Sequence, residues 1–297
     1  MERGLNNRDL GTSARRVGRG AGIVAILLLS TTSLVAQSTQ TTAGVDVTSQ
    51  YFDRGIITEN SGLILQPWIS IDTPITPPAE GVGLDFHIWL ANSFHTGDTG
   101  TGGSTSDDPR LWAEAEFTIG FAARMGDIES SIIYSAQTSP NGNANTVEQV
   151  ELAFTFDDSN FWGAGFGGLR PSATLLVETK GQADGGGSSG ILLELGIEPG
   201  LAILDDGTSS ISISLPMIVG FSLDEYYEDT TGDDDFYGYF QIGLHASLPL
   251  EAFLPPHFGN WEAHAAFDLL FLGDNTRRYN NGDDVETIVT IGLSNTF

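Results

Sequence analysis

Cysteine is absent from the 297 residues. That removes disulfide staples, a thiolate metal site, a cysteine nucleophile and a lipid-bearing N-terminal cysteine together. Basic residues are scarce: 12 Lys and Arg face 39 Asp and Glu, a net charge of −27. Nucleic acid is thereby excluded as a partner, because phosphate recognition needs a basic footprint. Apolar residues make up 40%, low for a soluble protein with a large core. A sustained 3.6-residue apolar period is missing between residues 43 and 297, so helices have little support. Catalytic signatures are missing too. His87, His95, His245, His257 and His264 form no H-E-x-x-H or other metal-ligand spacing. A Ser-His-Asp hydrolase requires a nucleophile setting such as G-x-S-x-G, and none is expected here. The Gly-rich stretch 181–190 precedes a strand rather than opening a helix, so it makes a surface loop and not a phosphate cradle. Neither an enzyme nor a cofactor is expected.

What is present begins with an address. Arg15, Arg16 and Arg19 precede the apolar run 21–30, and small residues lead to Ala36, the pattern of a Sec-type secretory signal. The expected domains are a signal peptide over 1–36, cleaved after Ala36 despite Leu34 at the −3 position, and one β domain over 37–297. Cleavage removes five basic and two acidic residues and leaves 7 against 37.

The remainder alternates apolar and polar residues, stretch after stretch. The stretches are 43–54, 62–72, 82–94, 110–124, 128–139, 147–156, 172–180, 190–198, 209–222, 236–248, 260–272 and 285–297. From the third onward the connections alternate in kind. Long, Gly- and Asp-rich segments (95–109, 139–146, 181–189, 223–235, 273–284) take turns with segments mostly shorter or richer in proline. An even strand number, with long loops at one end and short turns at the other, is the rhythm of an outer-membrane barrel. The expected fold is all-β, a transmembrane antiparallel up-and-down β-barrel of about twelve strands. A soluble sandwich would give the same alternation. The export signal, the loop rhythm and aromatics near strand ends, among them Phe52, Phe156, Trp162 and Phe236, favour the barrel. The connection after the first strand, near 58–61, is short for an outer loop. Pro255-Pro256 interrupt the connection 249–259, expected as an inner turn packed under the barrel mouth.

The closing stretch ends on Phe297, which is similar to the C-terminal signal that outer-membrane assembly machinery reads, although Asn295 takes a place where an apolar residue is expected. Residues 46–72 resemble the opening of the TorF-like family of outer-membrane porins, whose first strand carries Ser-Asp-Tyr-x-Phe-Arg-Gly and leads into a Gln-Pro strand. Ser49, Tyr51, Arg54 and Gly55 match, while Gln50 and Asp53 depart from the pattern. The resemblance implies a barrel and passive transport, with no substrate to carry over.

If the polar faces line a lumen, it receives Asp46, Asp85, His87, Glu114, Glu116, Glu129, Glu151, Glu178, Glu194, Glu262, His264, Asp268 and Glu286. Arg54, Arg110, Arg124 and Lys180 oppose them, near strand ends in this register. Carboxylate-lined pores favour cations. The expected partners are outer-membrane lipid, the assembly machinery and small polar solutes. The acidic runs Asp107-Asp108, Asp233-Asp234-Asp235 and Asp283-Asp284 leave room for Ca²⁺ or Mg²⁺ without the spaced ligands of an EF-hand. Two functions stay open at this stage: a channel for small polar solutes, cation-preferring, in the cell outer membrane, or a sealed barrel with a structural or loop-mediated binding role.

Overall fold

A computed structural model describes residues 39–76, 81–97, 111–142, 144–162, 166–203, 211–251 and 253–297. The signal segment, Asp107, Asp108 and Arg110 lie outside the described residues.

The chain runs through β1 (Gln40–Thr48), a small hairpin of β2 (Tyr51–Asp53) and β3 (Ile56–Glu59), then β4 (Ile64–Thr76), β5 (Gly83–His95), β6 (Trp112–Met125) and β7 (Ile128–Thr138). It continues through β8 (Val147–Phe156), β9 (Ser172–Lys180), β10 (Ile191–Ile197), β11 (Gly200–Ile203), β12 (Ile211–Ser214) and β13 (Met217–Asp224). β14 (Tyr237–Pro249), β15 (Asn260–Leu272), the helix α1 (Asp274–Tyr279) and β16 (Val285–Thr296) complete it. All but the hairpin form one antiparallel sheet, which closes where β1 pairs with β16 and β14 pairs with β15. Two staves are each interrupted once. Pro199 separates β10 from β11, and Pro216 separates β12 from β13, because proline brings no N–H to the ladder. Counting each interrupted pair as one stave gives a closed twelve-stranded barrel.

Side-chain alternation explains why the sheet closes as it does. On β16, Val285, Val289, Ile291 and Leu293 are exposed on the outside, while Glu286, Thr290 and Ser294 turn inward. The pairing keeps neighbouring outer rows together: Val289 lies opposite Phe267, and Ile132 opposite Leu152. Such an apolar belt around a closed sheet suits lipid, not water. The short turn between β6 and β7 is Gly126-Asp127, with Gly126 at φ 60°, as a two-residue hairpin led by glycine demands.

Three features depart from the sequence expectation. The first stave ends at Thr48, and residues 49–63 turn into the barrel instead of extending a strand to residue 54. The turn is Arg54-Gly55, with φ values of 49° and 81°, the left-handed pair that joins tightly twisted strands. What looked like a short outer loop is an inserted hairpin. The connection 273–284 contains a helix, too short at six residues to announce itself by period. The Pro255-Pro256 connection does not pack under the mouth, since Phe253 and Phe258 are both exposed. Trp261 Nε1 donates to the Phe258 carbonyl at 2.8 Å, fixing this aromatic corner at the end of β15.

The core lies inside the lumen, at the end where the hairpin enters. Ile56, Leu176, Leu192, Tyr226, Tyr227, Tyr239, Leu270 and Leu272 are buried together, with Phe52 and Ile288 packed against them.

Candidate functional site

The hairpin crosses the lumen and touches walls far apart in sequence. Tyr51 Oη donates to Glu114 Oε1 on β6 at 2.8 Å, and Gln137 Nε2 on β7 donates to Asp53 Oδ2 at 3.2 Å. Gln50 Nε2 donates to Glu286 Oε2 on β16 at 2.9 Å. At the tip, Arg54 Nη2 donates to Glu151 Oε1 on β8 at 2.6 Å and Nη1 to Gln149 Oε1 at 3.4 Å. Arg54 Nε lies 3.8 Å from Glu194 Oε1 on β10, and Tyr239 Oη donates to the same carboxylate. The side chain of Arg54 is 17% exposed, against 42–61% for Arg124, Arg170, Lys180, Arg277 and Arg278. A buried guanidinium among carboxylates is a costly arrangement unless well paired. Its backbone also occupies a conformation uncommon for a non-glycine residue.

Loops close over the hairpin. Tyr226 and Tyr227 point inward and are fully buried, and Tyr227 Oη donates to the Arg54 carbonyl at 2.9 Å. Asp234 holds this segment by accepting from Ser222 Oγ at 2.8 Å and from the Tyr227 amide at 3.1 Å. Asn275 Nδ2, on α1, donates to the Tyr227 and Asp233 carbonyls at 2.7 and 2.8 Å. Asp184 accepts the Glu228 amide at 2.7 Å, and burial pushes its carboxyl up to about 6. Asp229 is held down to about 2 by donors from Thr231 and the Asp233 amide, with Arg278 alongside. Asp184, Asp229 and Asp234 thus brace the loops. Among the described residues, no group of three His, Cys, Asp or Glu converges to hold a metal ion.

One cluster has the outline of a catalytic triad. Ser93 Oγ lies 2.7 Å from His95 Nε2, and His95 Nδ1 lies 3.8 Å from Glu59 Oε2. Ser93 is only 2% exposed, receives Gln66 Nε2 at 3.3 Å, and lines neither cavity described below. A nucleophile must reach its substrate, so the cluster reads as a brace at the hairpin's base. There, Glu59 Oε1 also accepts the Asn60 and Ser61 amides at 2.9 and 2.8 Å. The letters G-x-S-x-G do occur at 186–190, but in a loop between strands, where the Ser188 amide donates to Glu228 Oε2 at 2.8 Å.

The other half of the lumen, toward the chain termini, is built differently. His264 Nε2 on β15 lies 2.6 Å from Asp46 Oδ1 on β1, reaching across β16. It can do so because the intervening inward position is Gly292, where a Cβ would overlap both partners. His245 Nε2 lies 3.0 Å from Asp268 Oδ1 over Gly243, and Gln241 Nε2 donates to the same oxygen at 2.9 Å. Trp68 lies over Gly44 and donates to Asp46 Oδ2 at 3.1 Å. Side chains here run along the wall. Two cavities open beside them, one of about 680 Å³ with His245, His264, Ser247 and Arg170 in its lining and one of about 370 Å³ with Trp68, Glu262 and Asn260.

The candidate lumen residues therefore divide. Glu114, Glu151, Glu194 and Glu286 grip the hairpin, and Glu116 stands on the same inward face as Glu114. Glu178 accepts the Ala183 and Gly190 amides at 2.6 and 2.8 Å and anchors a loop. Asp46, His264 and Asp268 form the wall belt, and Glu262 lines a cavity. His87 Nδ1 pairs with Asp72 Oδ1 at 2.6 Å, and Asp85 sits two residues earlier on the same face. Glu129 pairs with Arg124 at 2.5 Å beside the short turn, while Lys180 is exposed at the rim with Glu148. Arg54 does not end a barrel stave; it sits at the tip of the inserted hairpin, at the centre of the plug. Phe297 is exposed, its amide donating to the Thr41 carbonyl at 2.9 Å beside the barrel seam. Tyr226 and Tyr227 lie in a connection that no alternation reads, whereas Tyr239 and His245 share one inward face of the alternating stretch 236–248.

No protein-family model matches the chain, and no curated protein matches it. Solved structures similar to it include an outer membrane channel from Pseudomonas putida F1, at 12% identity over 87% of this chain and 95% of that one, TM-score 0.48. LpxR from Salmonella typhimurium is similar at 8% identity over 86% and 100%, TM-score 0.48. The NanC porin is similar at 9% identity over 87% and 99%, TM-score 0.43. At such distance none of them lends its activity to this chain.

Proposed function

We propose that this protein is a porin-like channel of the outer membrane, passing small polar solutes by diffusion with a preference for cations, and that the inserted hairpin forms its constriction. One observation carries the reading: acidic groups dominate the inward faces, and the base that reaches the centre, Arg54, is already committed to Glu151. Asp85 and Glu262, with Asp46 on the wall belt, give a permeating cation a succession of partners, and a low-dielectric wall focuses their field. Gly243 and Gly292 let the Asp268–His245 and Asp46–His264 pairs lie against the wall. The outer apolar belt supports an outer-membrane setting, with lipid around the barrel. The test is the reversal potential across a planar bilayer holding a salt gradient: a cation-selective sign at neutral pH is expected, weakening as salt screens the wall. An anion-selective sign defeats the proposal. The hairpin's contacts with β6, β7, β8, β10 and β16 favour a second reading, a sealed barrel that acts through its loops. Absence of any conductance decides for it.

A further inference from the structure

Glu151 and Glu194 project from β8 and β10 into the centre of the barrel, where they hold a cation belonging to the chain itself. The seat has more acceptors than Arg54 uses well. Glu151 takes a short contact from Nη2, Nη1 is shared between Asp53 Oδ1 of the hairpin itself at 3.3 Å and Gln149 Oε1 at 3.4 Å, and Nε remains buried without a hydrogen-bond partner, 3.8 Å from Glu194. Tyr226 is fully buried in the same core, with its own Oη unpartnered. The guanidinium arrives on a hairpin tip rather than from the wall, so wall and cation belong to separable parts. The arginine at that tip occupies the left-handed region against its backbone preference.

We infer that the Glu151–Gln149–Glu194 seat is a binding site for guanidinium-type organic cations, occupied at rest by Arg54 as a tethered stand-in for such a solute. The chemistry selects the class. A planar fork matches two carboxylates and an amide oxygen arranged around it, whereas a compact, strongly hydrated ion would give up its water for only part of that set. With Arg54 removed, the seat leaves carboxylates buried without their counter-ion, a state that drives uptake of a fitting cation. The inference rests on the channel reading for its physiological sense, since a seat on the conducting path is a place where a permeating cation pauses.

The experiment uses the full barrel purified in detergent, wild type and Arg54→Ala, with methylguanidinium chloride as probe and tetramethylammonium and sodium chlorides at equal ionic strength as controls. The readout is the temperature at which the folded, fast-migrating form is lost on electrophoresis. Methylguanidinium at millimolar concentration is expected to raise that temperature by several degrees in Arg54→Ala, to leave wild type unmoved, and to lose its effect when Glu151→Gln is added. Equal effects of methylguanidinium and tetramethylammonium on Arg54→Ala overturn the inference. Should Arg54→Ala refold poorly, the same salts are compared in its refolding yield, where selective rescue by methylguanidinium supports the seat and equal yields overturn it. Bilayer conductance of Arg54→Ala separates the two ideas. Selective binding without conductance upholds the seat and ends the channel reading, while conductance without selective binding does the reverse.

Discussion

In the loop half of the barrel the inward side chains stand up and meet in the middle; in the terminal half they lie down along the wall. Glycine serves both plans. Gly220 and Gly238 leave room for the rings of Tyr239 and Tyr227 to press against the backbone from inside. Gly292 and Gly243 let an Asp–His pair stretch across neighbouring strands. The difference lies in what arrives from outside the sheet. The loop half receives a hairpin, two tyrosines and a short helix, and its carboxylates are spent on their amides and side chains. The terminal half receives nothing of the kind among the described residues, and its carboxylates pair with imidazoles of the wall. One half is packed like a protein interior, and the other is a polar wall beside two cavities.

The strongest way to break this comparison is to remove the hairpin. Replacing residues 50–60 by a short Gly-Ser link should raise single-channel conductance several-fold, because only the loop half then changes. Unchanged conductance would show that the hairpin does not set the constriction. Next comes packing. Tyr227→Ala removes a fully buried ring and should cost about 3–5 kcal/mol in urea unfolding. The polar truncation His264→Ala in the open half should cost far less, and equal losses would erase the distinction between the halves.

Gly292→Ala probes the passage itself. Its Cβ would displace the Asp46–His264 pair from the wall, at about 1–3 kcal/mol for overpacking, and conductance should fall modestly as the pair tilts into the path. The smallest effect concerns pH. Asp229 is held down to about 2 by Thr231 and Asp233 donors, so its contribution to loop order is complete above the ordinary carboxylate range and is lost as pH falls through about 2. Protease-accessible cleavage within 225–235, measured with an acid-active protease from pH 5 downward, should rise at the acid end, and Asp229→Asn should flatten that rise.

The wall of the barrel was legible because its rules are local. Alternation at period two assigns Glu286 and Glu262 to one face and Val285 and Trp261 to the other before any partner is known. The plug was not. Residues 51–53 and 56–59 are strands joined at Arg54-Gly55, and strand character alone does not say whether "YFDRGIITE" extends the first stave or turns back inside. The signal available was Arg-Gly at a two-residue turn, but it lay inside an apparently continuous stretch. Tyr226 and Tyr227 sit in a segment rich in Asp and Glu, where composition points to solvent. Their burial depends on Asp234 and Asn275 folding the segment over them.

By itself, then, the sequence determined the number of staves, the side of the sheet each residue takes, and the acidic character of the interior, since strand period and charge need no knowledge of distant residues. Only the tertiary structure decided which carboxylates remain free to meet a solute. Arg54 meets Glu151 across 97 positions of chain, and Asp46 meets His264 across 218. Contacts of that separation exist only once closure of the barrel has brought opposite walls within reach of the same side chain.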